Sequence, residues 1–446
     1  MKKRIILAVV FLALLGGGIY LNLLMPVITG YAAKNLASGI FIAGRTQESM
    51  EKEDLSFSVI KYTSNSVDPE KREVISHFLW GSSKAVYIDG FGCTLAEDYS
   101  EEEIKNRPYP HPEPLPGDPD TIPWPKGDLI ADTIPKGIDM QVLHQAVSMT
   151  MSDTIPFKGT FALMVVYKGQ PVADVCRDDF TSHTRFLSWS MAKSFTNALV
   201  GLRVKEGKMN IDRPLNLKEW QNDERKNITL NNLMHMNSGL KWNEDYGALS
   251  DVTIMLHKVG DMGAYTANKP LAYPPDSVWS YSSGTTNLAC LILRRSFPSE
   301  SAYLGYPRKA LFSKIGMRSA VFEVDASGTF VGSSYLYATM HDYARFALLY
   351  LNNGNWMGQQ LLPKDWVSYT TTPVKGSGGN YGAFFWLNLS DDQPDAPKDT
   401  YMCKGHDGQF IFIIPSKQLI VVRTGFSKHG EFDTNLMLKG ILQSLE

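Results

Sequence analysis

The sequence predicts an α+β protein in which both ends of one large domain, residues 138–446, close into an antiparallel sheet around a helical middle. Three observations carry this expectation. TFALMVVY (160–167) and PVADVC (171–176) flank a Lys168-Gly169-Gln170 turn and read as a hairpin. QFIFII (409–414) and QLIVVRTGF (418–426), joined by Pro415-Ser416-Lys417, read as a second hairpin near the other end. From 208 to 330 short helical pieces alternate with Gly, Pro and Asn loops, which marks a mostly helical insertion. Strands and helices segregated in this way pack as layers, the sheet flanked by helices.

The helices follow from periodicity and end signals. MQVLHQAVSMTM (140–151) has helical spacing, and SMAKSFTNALVGLRVKEG (190–207) stops at Gly207. Thr339 and Asp342 form a capping-box-like start to MHDYARFALLYL (340–351), which ends at Asn352-Asn353-Gly354. DTNLMLKGILQSL (433–445) closes the chain as an amphipathic helix.

Three segments precede this domain. Residues 1–33 read as a signal-anchor or a signal peptide. Lys2, Lys3 and Arg4 stand before a charge-free stretch from Ile5 to Ala33, and a basic flank stays in the cytoplasm. Its apolar core, Ile5 to Leu24, exceeds the roughly 7–15 residues of a cleavable signal and is long enough to cross a bilayer. Small residues at Gly30 and Ala32 keep cleavage open, so the expected location is outside the cytoplasm, membrane-tethered or released. Residues 34–106 read as an N-terminal extension with strand-like pieces, LSFSVIKY (55–62) and KAVYIDGFGCTL (84–95). Residues 107–137 read as an extended connector. Eight of the 24 prolines lie between Pro108 and Pro125, where fixed φ and missing donors exclude helix and central strand.

Composition narrows the function. The 446 residues are 43% hydrophobic and 20% charged, with 44 basic and 46 acidic residues and a formal charge of −2. Such a balance gives no reason for a nucleic-acid partner or a polybasic membrane surface. Cys93, Cys176, Cys290 and Cys403 are too far apart for a Cys-x-x-Cys metal or redox motif, although export would permit disulfides. His183, His235, His257 and His341 are isolated, so no metal and no cofactor is expected. The Gly-x-Ser-x-Gly elbow, His-Glu-x-x-His, the phosphate-binding Gly-x-x-x-x-Gly-Lys-Ser/Thr and the dinucleotide Gly-x-Gly-x-x-Gly after a strand are all missing.

Ser-x-x-Lys remains, and it occurs four times: Ser49–Lys52, Ser58–Lys61, Ser190–Lys193 and Ser238–Lys241. Only Ser190–Lys193 opens a long apolar-periodic helix, where residues three apart share a face. Lys193 then lies on the domain-facing side, near Phe195, Leu199 and Leu202. Burial disfavours its charged form, and a neutral amine is able to take the Ser190 proton. The unpaired N–H groups of a helix N-terminus beside Ser190 suit an oxyanion.

Two further stretches complete a pattern: Trp279-Ser280-Tyr281-Ser282-Ser283-Gly284, and Lys404-Gly405-His406-Asp407-Gly408 just before a strand. With Ser190–Lys193 they resemble the serine β-lactamase and penicillin-binding-protein superfamily, closest to class C β-lactamases and related esterases and 6-aminohexanoate-dimer hydrolases. That superfamily carries Ser-x-x-Lys, Tyr-x-Asn/Ser, and Lys-Thr-Gly or His-x-Gly in this order. ITLNNLMHMNSGLKW (228–242) and GSSYLYATMHDYARFALLYLNNG (332–354) are similar too, so the resemblance spans roughly 140–446. It implies a β-lactamase/transpeptidase-like fold and a small-molecule or short peptide-like amide or ester substrate.

The resemblance also assigns roles. Ser190 is the expected nucleophile forming an acyl-enzyme, and Lys193 its activator. Tyr281 is expected to shuttle protons, with its phenol pulled down by cationic Lys193. Backbone N–H groups of Ser190 and Gln409 are expected to hold the oxyanion, Gly408 to admit substrate, Ser283 to bond substrate or Lys193, and His406 to bind substrate or tune Tyr281. Ser283 stands where class C enzymes have asparagine, and His406-Asp407-Gly408 where they have Lys-Thr-Gly. A histidine, mostly neutral near pH 7, replaces a permanent cation suited to a β-lactam carboxylate, which favours esters or linear amides. Two alternatives stay open. One is a penicillin-binding sensor that acylates but barely turns over. The other is a Ser-His-Asp hydrolase using His406 and Asp407, disfavoured because adjacent strand residues point to opposite faces.

Overall fold

A computed structural model describes residues 2–111 and 113–445; connector residue Pro112 lies outside the described residues. The first element is a 40-residue helix, α1 (Lys2–Phe41). Its two halves meet different surroundings. Ile5, Leu12 and Leu23 are 57%, 63% and 41% exposed, whereas Met25, Ile28, Ala32, Ala33, Leu36 and Ala37 are buried. The helix therefore runs past Ala33 into the body, because small and apolar residues continue on the packed face.

Residues 34–106 build more than an extension. Strands β1 (Ser64–Asp68), β2 (Glu73–Phe78), β3 (Gly81–Ile88) and β4 (Gly92–Leu95) form an antiparallel meander. Its inward residues Val74, Ala85, Cys93 and Leu95 close a core on the second half of α1. KAVYIDGFGCTL thus makes two strands, turning at Gly90 and Gly92, which both have positive φ. LSFSVIKY is not a strand. Ser58 adopts φ 47°, and Ile60–Tyr62 winds into a 3₁₀ turn.

A buried ion pair ties this unit to the large domain, together with the more exposed Arg177–Glu53 pair at 2.7 Å. Glu323, fully buried, accepts from Lys34 Nζ at 2.7 Å, Ser38 Oγ at 2.8 Å and the Cys93 N–H at 2.7 Å. Lys34 is buried as well and lies 3.9 Å from the Tyr335 ring centroid. The proline-rich connector is laid along the large domain. Arg318 donates to the carbonyls of Leu115, Pro116 and Gly117, while Arg345 binds Pro125 O at 2.8 Å and the Asp128 carboxylate.

The large domain has the expected α+β layout. β5 (Thr160–Tyr167) and β6 (Gln170–Cys176) join the C-terminal strands Tyr401–Gly405, Gln409–Ile414 and Leu419–Gly425, with Trp386–Leu387 at the edge. The order is 386–387, 401–405, 409–414, 419–425, β5, β6, antiparallel throughout. Period-two alternation divides its side chains. Leu163, Val165, Phe412 and Val421 face helices Met140–Thr150 and Thr434–Leu442. Met164, Val166, Ile411 and Val422 face the helices Ala192–Lys205 and Met340–Leu351. Ala192 to Arg203 is buried on every side, the mark of a core helix rather than an amphipathic one. Residues 208–330 are mostly short helices, as expected. All four cysteines are free.

Removing one member of a buried pair strands the other charge in a dry site. Lys34→Ala is expected to lower stability by about 3–5 kcal/mol, read by denaturant unfolding of the full chain in detergent. A loss below about 1 kcal/mol would place the junction elsewhere.

Candidate active site

The nucleophile candidate sits on a kink. Trp189–Met191 is a 3₁₀ turn, and the α-helix begins only at Ala192. Trp189 has φ 45°, a conformation that costs a bulky residue energy and is seen most where function requires it. The turn packs against strands 401–405 and 409–414. Gly405 lets the chains meet there, since a Cβ on it would lie 2.3 Å from Ser188 O.

Lys193 is buried, and its Nζ has three oxygen neighbours: Ser190 Oγ at 2.9 Å, Ser283 Oγ at 3.0 Å and Ser333 O at 3.0 Å. Burial lowers its pKa to about 8, against the opposing pull of the Glu244 carboxylate. Hydrogen-bond capacity explains why the neutral form fits. The Ser283 hydroxyl donates to Glu244 Oε1 at 2.5 Å, so its oxygen is left to accept from Lys193. Ser333 O is a carbonyl and only accepts. A neutral amine meets both with its two N–H bonds and turns its lone pair to the Ser190 hydroxyl.

Glu244 is a candidate site residue that motif reasoning missed. Its Oε2 accepts from the Ser283 N–H at 2.9 Å and from Trp242 Nε1 at 2.5 Å. Ser283 is the first residue of helix Ser283–Arg295, so this carboxylate rests at a helix N-terminus, where anions are favoured. The family-like stretch 228–242 ends two residues before Glu244. No spacing rule ties a loop glutamate to a serine 39 positions away.

Tyr281 and Ser283 are brought to the nucleophile. Lys193 Nζ lies 4.8 Å from the Tyr281 ring centroid, and the Ser190 side chain is near enough to influence that phenol. The phenol moves opposite to expectation. Burial and Glu244 push its pKa up, and the nearby Ser190 hydroxyl opposes them only in part. Tyr281 is therefore a neutral donor, not a phenolate.

The His406 region forms a second wall. His406 stacks on Tyr246, ring centroids 4.7 Å apart, and meets Trp189 edge-on at 5.5 Å. Residues 406–408 form a tight turn, with Asp407 at φ 55°, rather than a strand. His406 Nε2 and Asp407 Oδ1 consequently approach to 3.2 Å, although adjacent strand residues would diverge. Gly408, at φ 90°, has Arg423 where its Cβ would be. Gln409 is buried, and its side chain pairs with Gly425 through Nε2–O at 2.5 Å and N–Oε1 at 3.1 Å.

With a serine, a buried lysine and a tyrosine converging beside this sheet edge, comparison with known families is decisive. The Beta-lactamase family profile matches residues 158–443, well over half of the chain. The chain belongs to the β-lactamase family. Solved structures agree on the fold. A Bacillus anthracis protein assigned as a 6-aminohexanoate-dimer hydrolase superposes with a TM-score of 0.54 at 22% identity, over 66% of this chain and 79% of that one. A family VIII carboxylesterase gives 0.54 at 14%, over 69% and 97%. A penicillin-binding protein from Bacillus halodurans gives 0.51 at 18%, over 66% and 98%.

The four other histidines singled out in the sequence all have structural partners, exposed His183 lying 3.4 Å from an Asp120 carboxylate oxygen. His341 lies between Asp128 at 3.3 Å and Asp174 at 2.8 Å, His235 packs on Tyr369, and His257 packs on Tyr31.

Glu244 favours the charged form of Lys193, so neutralising it lowers the pH at which that amine loses its proton. Glu244→Gln is expected to move the midpoint of Ser190 labelling by a fluorophosphonate to lower pH than in the parent. An unmoved midpoint would separate Glu244 from the lysine.

Proposed function

We propose that this chain is a membrane-tethered, extracytoplasmic serine hydrolase that cleaves an ester or linear amide through an acyl-enzyme on Ser190. The observation that carries the proposal is the buried Lys193 amine, 2.9 Å from Ser190 Oγ and lowered to about 8. The Ser190 oxygen attacks the substrate carbonyl while its proton passes to Lys193 Nζ. Charge gathers on the carbonyl oxygen, and backbone N–H groups of Ser190 and Gln409 are assigned to it. Collapse of the tetrahedral adduct breaks the bond to the leaving group. Tyr281 gives that group its proton and regains one from Lys193, so the site returns to neutrality. Water then repeats the sequence against the acyl-enzyme, with Ser190 leaving.

Several features support the substrate and the location. His406 stands 43% exposed at the wall where a permanent cation would hold a β-lactam carboxylate. It stacks on an aromatic ring instead, which suits ester or linear-amide substrates. The neighbours in fold include a carboxylesterase and a protein assigned to dimer-amide hydrolysis. The exposed half of α1 has the length and hydropathy of a membrane span. Cleavage after Ala32 would cut α1 inside its buried half, which favours a retained anchor over a removed signal.

Two variants test the assignment. Ser190→Ala is expected to lose turnover by at least about 1,000-fold and to lose fluorophosphonate labelling; retained labelling would refute the nucleophile. Tyr281→Phe is expected to slow an alkyl amide far more than a nitrophenyl ester, whose leaving group needs no proton. Equal losses on both substrates would remove Tyr281 from the leaving-group step.

A further inference from the structure

The turn between β2 and β3 carries two apolar residues that the body leaves bare. Leu79, at φ 51°, is 68% exposed, and Trp80 is 60% exposed. A leucine held in the left-handed region and a bare tryptophan beside it are unexpected on a water-facing hairpin tip.

Their position along α1 explains them. Exposed apolar residues run from Ile5 to Leu23 and stop at buried Met25. Nineteen residues of helix span about 28 Å, close to the ~30 Å hydrocarbon thickness of a bilayer. Asn22 lies at the end of that stretch, and its Oδ1 accepts from Trp80 Nε1 at 3.2 Å. Pro26, inside the helix, has no N–H to give the Asn22 carbonyl, which therefore needs a polar neighbour outside the helix. A carbonyl without a partner is costly in hydrocarbon but not at the headgroup level. The hairpin is held at this same height, since a Cβ on Gly81 would lie 2.7 Å from the Met25 Cβ.

We propose that Leu79 and Trp80 form a second membrane contact, seated in the headgroup layer of the bilayer that α1 crosses. The occupant of this apolar tip is lipid. An indole with its N–H on Asn22 and its ring towards acyl chains has the amphipathic placement that tryptophan takes at membrane interfaces. The body then rests on the lipid surface without a linker. Its catalytic turn stays close to the membrane: Tyr31, nine residues beyond Asn22 and about 14 Å along the helix, stacks on Trp189 at 6.4 Å.

This proposal rests on the reading of α1 as a membrane anchor, and the test separates the two. The full chain and its Trp80→Phe variant are reconstituted into phosphatidylcholine vesicles, either plain or brominated in the upper acyl chain. Flotation reports the anchor, and tryptophan emission reports the tip. Both proteins are expected to float, with bromolipid quenching clearly present in the parent and largely lost in Trp80→Phe. Equal quenching in the two proteins, with flotation intact, would overturn the hairpin contact and leave the anchor standing. That outcome would also follow if a second copy covered the tip. Failure of the full chain to float would overturn both.

Discussion

The candidate site depends on one buried amine whose charged form is disfavoured, its pKa lowered to about 8. Lys193 is enclosed by the core helix, the start of helix Ser283–Arg295 and the Ser333 carbonyl. Of its three oxygen neighbours, two must accept, because the Ser283 hydroxyl is committed to Glu244 and Ser333 O has no proton. An ammonium would need the Ser190 oxygen to accept as well, which blocks proton transfer from serine. A neutral amine reverses that last bond. Burial lowers the pKa while Glu244 restrains the fall, leaving a base poised near ~8, close to neutrality.

The fold supplies this enclosure from distant parts of the chain. β5 and β6 come before the nucleophile, and strands 401–405, 409–414 and 419–425 come more than 200 residues after it. Their pairing forms the wall against which the Trp189–Met191 turn kinks. The N-terminal unit reaches the same turn. Tyr31 stacks on Trp189, and Lys34 neutralises Glu323 inside the large domain. Residues 34–106 thus pack into the large domain beside the candidate site.

Much of this was legible in the sequence, for physical reasons. Alternating apolar strands with tight turns, the capped helix 340–351 and the helix carrying Lys193 all announce themselves by local periodicity. The motifs that hold Ser190, Lys193, Tyr281 and Ser283 could be picked out by their order along the chain, and the fold brings these residues together. Of the N-terminal sheet, the strand-like stretch 84–95 was legible and becomes β3 and β4, whereas β1 and β2 are short, partly polar strands that gave no such signal. Ser58 and the 3₁₀ turn after it defeated an apparent strand at 55–62. Glu244 was invisible because its role comes from a tertiary contact. The direction of the Tyr281 phenol was missed for the same cause, since it is set by burial and by Glu244, and the nearby Lys193 does not offset them.

The central claim concerns one proton, and it is directly measurable. Lysine labelled with ¹³C at the ε carbon reports the Lys193 titration by NMR, assigned by its loss in Lys193→Arg. The account predicts a midpoint near pH 8 for this residue. A midpoint in the ordinary lysine range, near ~10.4, would mean a permanent ammonium beside Ser190 and would contradict the mechanism.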